Sequence, residues 1–416
     1  MAHRDPAPSS LTGSRLSARV NGAGPTGALS ALALADAGWQ VQLCDPLSAE
    51  QLQQRSRAYA FTWSSRLLLE RLGLWQRLVP QLRPFRHLHL QDLTLEREAD
   101  FGIADLPDRL SDAADPAVGW IAQHQPLMAR LLEALADHPG VELRLGAPET
   151  VLQIDAAART QVDAPPDLIV AADGPASTSR RALGIGQWRH TYRQACLTVQ
   201  VEMRGCAENE AWELLRPEGP FAILPLGGRL FQLVWSAPAS RCARLASQAD
   251  SPFLDALAGA LPDRFQPDGL RDDPRAFPVS LELARRLHRG RTILVGESGH
   301  RCHPVGGQGL NLCWRDVAVL HRLALRAHQG RLAPARLPAA YARRRWPDLL
   351  IVLVATDLLV RLFSNRNRLL LPLRLCVLRG LAVSSLLRRL SLTPMTLGPA
   401  WPGLPGRRSA RTVCPW

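Results

Sequence analysis

The sequence predicts an α/β fold in which a discontinuous Rossmann-like domain carries an inserted β-sheet domain and ends in a C-terminal helical segment. A glycine-rich turn joins two apolar strands near the N-terminus, and two later apolar strands also end in glycine turns. Between those later strands, residues 186–279 read as short alternating strands punctuated by turns. At 416 residues the chain exceeds one minimal core, so two or three interlocked units are expected. The boundaries read as a disordered tail over 1–13, a nucleotide-binding domain over 14–185 and 280–350, a substrate sheet over 186–279, and a helical segment over 351–416. Within the first stretch, 14–85 and 119–185 carry the recognisable parts.

Element by element, Leu16 to Pro46 reads as strand, tight turn, helix and strand. Gly22-Ala23-Gly24-Pro25-Thr26-Gly27 supplies G-x-G-x-x-G, Ala28 to Ala37 forms a helix of small residues, and Trp39 to Cys44 returns as a strand ending at Asp45. Gly22 permits the turn, Gly24 lets the backbone approach a pyrophosphate, and Gly27 lets the helix pack on the sheet. The helix start, with Pro25 and Thr26, offers free N–H groups and a partial positive charge. Asp45, 23 residues after Gly22, is placed to accept hydrogen bonds from a ribose. The first strand is unusually polar for one buried on both faces, and Asn21 stands where an apolar residue is expected.

A second apolar strand, in the run Asp167-Leu168-Ile169-Val170-Ala171-Ala172, delivers Asp173-Gly174, followed by Ser177 and Arg180 as D-G-x-x-S-x-x-R. This pattern resembles the Asp-Gly motif of flavin monooxygenases of the para-hydroxybenzoate-hydroxylase type, and the resemblance implies that Asp173 and Gly174 lie where FAD and the pyridine nucleotide pass. Read from the residues alone, it is also a strand-end turn with Ser177 as helix N-cap. A third segment, Gly296-Glu297-Ser298-Gly299-His300 with Pro304-Val305-Gly306-Gly307-Gln308-Gly309-Leu310-Asn311 and Asp316, resembles that family's ribityl-binding pattern. Gly307 and Gly309 would let backbone touch the flavin ring, Pro304 would stiffen the turn, and the helix from Leu310 and Asn311 would stabilise negative charge on a reduced ring. The family has aspartate where this chain has Glu297. The extra methylene strains a hydrogen bond of the kind that contributes about 1.5–3 kcal/mol, so weaker FAD binding is expected.

Further stretches are similar to the ubiquinone-biosynthesis hydroxylases of the UbiH/UbiF type, from about residue 16 to 365: Arg57 to Thr62, Leu72 to Trp75, Gly219 to Leu226, His303 to Leu312, and Ala355 to Asn365. That resemblance implies an FAD-dependent monooxygenase that takes electrons from NAD(P)H and, with O₂ and a flavin hydroperoxide, hydroxylates an aromatic ring. The implied substrate is a prenylated phenol or quinone precursor, and other quinone-biosynthesis enzymes are implied partners. Arg57 would reach the FAD near its pyrophosphate or ribityl chain, and Trp120 to Leu127 matches a strand-to-helix entry touching the cofactor. No catalytic base is read from the sequence. A prenyl-lipid reductase or cyclase of the same fold, and a flavin-poor scaffold, are the alternatives.

The formal charge is +13 and all 50 basic residues are arginine, scattered until they thicken after about residue 343. With no RRM, KH or zinc-finger signature, nucleic acid is excluded as the expected partner. Eight cysteines show no C-x-x-C pair, so reduced thiols in a cytoplasmic setting are expected. The start lacks an apolar core of a signal peptide. His300, Cys302 and His303 offer no fourth ligand, and no metal is expected. After Pro347 an apolar run is short and interrupted by Asp357, too short for a membrane span. Arginines mixed with leucines from Arg361 to Arg389 suit either an interfacial helix peripheral to the inner membrane or a helix packed on the flavin domain.

Overall fold

The computed structural model describes residues 15–146 and 165–399. The expected tail over 1–13 and Cys414 lie outside those residues. Ser17–Asn21 is central in a six-stranded sheet, flanked in parallel by Gln40–Asp45 and Leu168–Ala171. Val141–Leu145 extends one side, Thr292–Leu294 the other, and the short strand His288–Arg289 closes that edge antiparallel. Gly22 turns at φ +97°, where an added Cβ would lie 2.4 Å from the Ala172 carbonyl oxygen. At Gly27 a Cβ would lie 1.7 Å from the Gly22 oxygen, so the helix Pro25–Asp36 lies directly on its own turn. The polar first strand is satisfied internally: Arg19 Nε donates to Asn21 Oδ1 at 3.1 Å, and Asn21 Nδ2 donates to Ser179 Oγ at 3.3 Å. Asn21 thus links the first motif to the helix of the second.

The second sheet is larger than the stretch 186–279. Its strands run, in order, His300–Arg301, Arg275–Ala284, Gln187–Arg204, Leu230–Pro238, Phe221–Gly227, Glu210–Leu215, His87–Asp92 and Arg97–Gly102, with Gln266–Leu270 paired beside Gln187–Arg204. His87–Asp92 and Arg97–Gly102 come from inside the stretch 14–185 assigned to the nucleotide-binding domain. They join because Glu210–Leu215 would otherwise be an open edge, and His87–Asp92 pairs with it in parallel. One face of this sheet packs Trp212, Phe221, Ile223, Phe231 and Trp235 against two helices, Ala239–Ala246 and Asp250–Ala258, that strand patterning did not anticipate. Strand alternation then turns Ala211, Glu213, Ala222, Leu224, Gln232 and Val234 to the opposite face. A third, small sheet of Ala58–Phe61, Gly119–Gln123 and Leu82–Phe85 joins the two units.

The helix Leu337–Phe363 carries Pro347 internally, so the boundary placed at 351 falls inside one continuous element. It is held by charge as well as packing. Asp316, fully buried on the helix Gln308–His328, accepts hydrogen bonds from the Gly296 N–H at 2.7 Å and from Arg345 Nε at 2.5 Å. His300 Nε2 lies 2.7 Å from the same carboxylate, and Arg315 donates to Asp348 at 3.0 Å. Burial alone would raise the Asp316 carboxyl, but the charges of His300 and Arg345 and these hydrogen bonds hold it down at about 2.

Replacing Arg345 with methionine should therefore destabilise the fold by about 3–5 kcal/mol, because the buried carboxylates of Asp316 and Asp348 lose the cation they share. A carboxyl depressed on folding contributes stability that is complete above its ordinary value near 4 and lost as pH falls toward 2. Urea unfolding should show a wild-type midpoint that drops over that window. An Arg345→Met midpoint equal to wild type at neutral pH would refute the assignment.

Candidate functional site

Between the two sheets lies a cavity of about 1110 Å³. On its nucleotide side it is lined by Gly22, Gly24, Pro25, Thr26, Asp45, Arg57, Asp173 and Gly174, and from the third motif by Glu297, Pro304, Gly307, Gly309 and Leu310. Thirteen of the sixteen residues expected from the sequence to meet a cofactor thus share one wall. Gly24, Gly174 and Gly309 open directly into this space, since an added Cβ at each meets nothing within 4 Å. Two helices, Pro25–Asp36 and Gln308–His328, begin at the same wall and present free N–H groups to it. Such a cradle fits an extended anionic dinucleotide.

Individual side chains refine the picture. Asp45 accepts from the Ala23 N–H at 2.6 Å and the Leu47 N–H at 2.9 Å, so its carboxylate ties the glycine turn to the second strand while facing the cavity. Asp173 accepts from Ser177 Oγ at 2.6 Å and the Ser179 N–H at 2.9 Å, and Ser177 accepts from the Arg180 N–H at 2.9 Å. The second motif is therefore both a cavity wall and a capped turn. Arg180 then donates to the Ser298 carbonyl at 2.7 Å and to the Pro175 carbonyl at 3.1 Å, joining second motif to third. Glu297 extends its carboxylate to 4.0 Å from Arg301 Nε. The Arg57 guanidinium lies over the Phe277 ring, 5.7 Å from its centroid.

The other three expected residues, Gly27, Gly296 and Asn311, stand behind the wall and hold it together. Gly27 packs the helix on its turn, as above. Gly296, at φ +69°, would drive a Cβ to 2.9 Å from Thr26 Cγ2, so it is the close approach of the third motif to the first. Asn311 has no capacity left for a cofactor. Its Oδ1 accepts from the Thr62 N–H at 2.9 Å and Ser65 Oγ at 2.7 Å, and its Nδ2 donates to the carbonyls of Ala60 at 2.7 Å and Gly307 at 2.8 Å. It fastens the turn at Gly307 to the strand Ala58–Phe61.

His300, Cys302 and His303 do not converge. His300 is committed to Asp316, burial pushes the Cys302 thiol up to about 12, and burial holds His303 down at about 4 while its Nδ1 accepts from the Val305 N–H at 3.2 Å. Among the described residues, the group that does bring ligand atoms together is His89, Glu98 and Asp100. It lies on the opposite face of the large sheet from Leu88 and Leu90, with His89 stacked on Trp212.

The remaining wall is mostly apolar. Leu88, Leu90, Ala222, Leu224, Val234 and Phe277 come from the large sheet, and Leu359, Val377, Leu381, Leu392 and Met395 from the C-terminal helices. Within it stand Thr198, Glu213 and Gln232, which sequence reading did not single out. The signal for Glu213 was present in the strand Glu210–Leu215, where an acid alternates with Ala211 and Leu215 on the face opposite Trp212 and Leu214. Tyr59, another lining residue, hydrogen-bonds through its hydroxyl to His124 Nδ1 at 2.8 Å, and His124 Nε2 lies 2.8 Å from the Leu52 carbonyl. This leaves His124 Nε2 protonated and its Nδ1 accepting. His124, in the strand-to-helix entry, acts behind the wall.

Comparison with known proteins agrees with this geometry. The FAD binding domain family matches residues 16–348. The chain is 32% identical over 363 residues to ubiquinone hydroxylase UbiL of Rhodospirillum rubrum, covering 83% of this chain and 81% of that protein. It is 28% identical to the 3-demethoxyubiquinol 3-hydroxylase of Escherichia coli, covering 83% and 89%. An uncharacterized protein of Synechocystis is 29% identical over 96% of both chains. In fold it resembles p-nitrophenol 4-monooxygenase PnpA from Pseudomonas putida DLL-E4, with a TM-score of 0.72, 18% identity, and coverage of 91% and 96%.

The open space at Gly24 gives a clean test. Gly24→Val should fold with its helical content intact, because the first added carbon meets open space, yet it should lose bound flavin by filling the position of the pyrophosphate. A purified variant retaining flavin at wild-type stoichiometry would show that the phosphates lie elsewhere.

Proposed function

The chain belongs to the FAD-dependent hydroxylases of ubiquinone biosynthesis, and from that premise we propose that it hydroxylates the aromatic ring of a prenylated phenol. One observation carries the proposal: the cradle wall and the apolar wall are two arms of a single cavity, so a ring held on the large sheet lies beside a cofactor held on the glycine turns. FAD, reduced by NAD(P)H, supplies the oxygen-activating chemistry. The chain's own residues bind and orient. The helix start at Pro25 and the bare backbone at Gly24 take the pyrophosphate, Asp45 faces the adenosine ribose, and Gly307, Gly309 and the helix from Gln308 take the ring edge. Leu88, Leu224, Val234 and Phe277 keep water from the reacting centre.

The C-terminal helices support a lipid substrate. Leu371–Val383 and Ser385–Leu397 line the cavity with Val377, Leu381, Leu392 and Met395, and turn other apolar side chains outward. Among the described residues, eleven of the thirteen large exposed hydrophobic ones lie after residue 349, including Leu369 and Val383 at 85% and Leu386 at 63% exposure. Val377 both lines the cavity and is exposed, which marks a mouth on this face. Among the described residues no single helix is long and apolar enough to cross a membrane, and the two that qualify as a pair are bent by 99°. The arginines of this segment are partly committed to the protein. Arg374 is buried and donates to the Leu362 carbonyl at 2.6 Å, Arg388 pairs with Asp105 at 2.9 Å, and Arg389 with Asp108 at 2.9 Å. Interfacial contact with a membrane therefore rests on the leucines and valines more than on arginine charge.

Two measurements follow. Purified protein should carry equimolar flavin, and adding 2-geranylphenol under O₂ should accelerate NAD(P)H oxidation and yield a product heavier by one oxygen atom. Oxidation that proceeds without O₂ and saturates a double bond would instead indicate a prenyl-lipid reductase. Separately, Leu386→Glu with Leu390→Glu should reduce sedimentation with anionic liposomes several-fold while flavin content is unchanged. Undiminished sedimentation would place the contact on another face.

A further inference from the structure

In the apolar arm of the cavity, Glu213 and Gln232 present acceptors. Across the large sheet, Leu90, Glu213, Ala222, Val234 and Thr198 form one row of adjacent residues. Glu213 is the ionisable member of that row, and it lines the cavity together with Gly306, in the glycine turn against which the flavin ring is proposed to lie. The carboxylate thus stands where the substrate arm meets the cofactor arm. Two residues along the neighbouring strand from Val234 is Gln232, buried and also lining the cavity. Its Nε2 donates to the carbonyls of Val199 at 3.0 Å and Leu233 at 3.2 Å, whereas its Oε1 has no partner. A buried acceptor left unpaired is costly, so a ligand that brings a donor is favoured at this face. A quinone ring offers acceptors through its two oxygens, whereas a phenol or hydroquinone offers O–H donors.

Building on the hydroxylase reading, we propose that Glu213 receives the ring-hydroxyl proton of the substrate, which is bound as a phenol or hydroquinone rather than as a quinone. The phenolic O–H bond breaks, its proton passes to a Glu213 carboxylate oxygen, and the electron pair stays on the ring oxygen. The ring is then more electron-rich toward the activated oxygen, and the proton returns when the product rearomatises. Burial pushes the Glu213 carboxyl up to about 7, partly opposed by the Gly306 amide, which suits a group that must both take and release a proton near neutrality. The charged side chains lining the same cavity are Asp45, Arg55, Arg57, Asp173, Glu297 and Arg301, carried by the nucleotide loops and the third motif. Beside Glu213 itself stand Ala211, Leu215, Leu90 and Ala222. A carboxyl raised this way is ionised above about pH 7, so proton acceptance is gained as pH rises through that value.

The test compares the FAD-loaded wild type with Glu213→Gln and Glu213→Asp, using 2-geranylphenol and its methyl ether. For the wild type, kcat/KM should show an acid limb at about pH 7, and the phenol should perturb the bound flavin spectrum at lower concentration than the ether, which has no proton to give. Glu213→Gln should keep flavin content and unfolding midpoint, lose the acid limb, narrow the preference for phenol over ether, and fall in kcat by about 100-fold, within the span of general-base contributions. Glu213→Asp should restore part of the limb. If Glu213→Gln keeps the limb and the preference for phenol while the wild type hydroxylates it, the role of Glu213 is overturned and the hydroxylase reading stands. If the flavin-loaded wild type neither binds nor hydroxylates the phenol, both fall.

Discussion

One buried carboxylate sets the geometry on which the cofactor wall depends. Asp316 accepts the Gly296 N–H, holds His300 and is itself held by Arg345, so the end of the strand Thr292–Leu294, the helix Gln308–His328 and the helix Leu337–Phe363 meet at one point. From Gly296 the constraint passes to Thr26 by close approach, and from Ser298 through Arg180 to the second motif. Asn311 adds the fourth connection, to the strand Ala58–Phe61. The glycine turns can then face one another across a cavity although they are separated by more than a hundred residues of chain. Burying such charges is costly, and it is compensated here by pairing Asp316 and Asp348 with arginines and Asp316 also with the Gly296 N–H.

The second arm of the cavity follows from strand alternation. The large sheet gives Trp212, Phe221, Phe231 and Trp235 to the helices behind it and Ala222, Leu224 and Val234, with Phe277, to the cavity, which leaves room for a ring and places Glu213 and Gln232 within reach of it. The C-terminal helices close that arm with one face and expose leucines and valines with the other. Asp357, which interrupts the apolar stretch of the long helix, accepts from the Tyr192 hydroxyl at 2.7 Å and pairs with Arg361 at 2.6 Å. The interruption that argues against a membrane span thus also anchors this helix to the substrate sheet.

The three motifs were legible because their requirement is local: a glycine where backbone must turn or be bare, an acid at a strand end, a helix start beside both. What lay beyond reach depended on distant partners. Nothing within residues 82–105 signals that His87–Asp92 will pair with Glu210–Leu215, and the arginines at 388 and 389 read as solvent-facing until Asp105 and Asp108, more than 280 positions away, come beside them. The hydrogen bonds of Asn311 were out of reach for a related reason. A polar residue in a glycine-rich turn looks like a ligand contact, and only the assembled fold shows its amide consumed by Thr62, Ser65, Ala60 and Gly307. Asn21 illustrates the converse, a polar residue in a buried strand whose partner, Ser179, belongs to another motif.

Asp316 is the residue through which the fold shapes the cofactor cradle from behind its wall. Titration calorimetry of FAD into apoprotein compares wild type with Asp316→Asn directly, at a temperature where both are folded by circular dichroism. Asparagine offers one uncharged acceptor and cannot hold Gly296, His300 and Arg345 together, so FAD affinity should fall by at least about tenfold, the equivalent of one hydrogen bond to a charged group. An affinity equal to wild type in a folded variant would contradict the claim that this carboxylate organises the site.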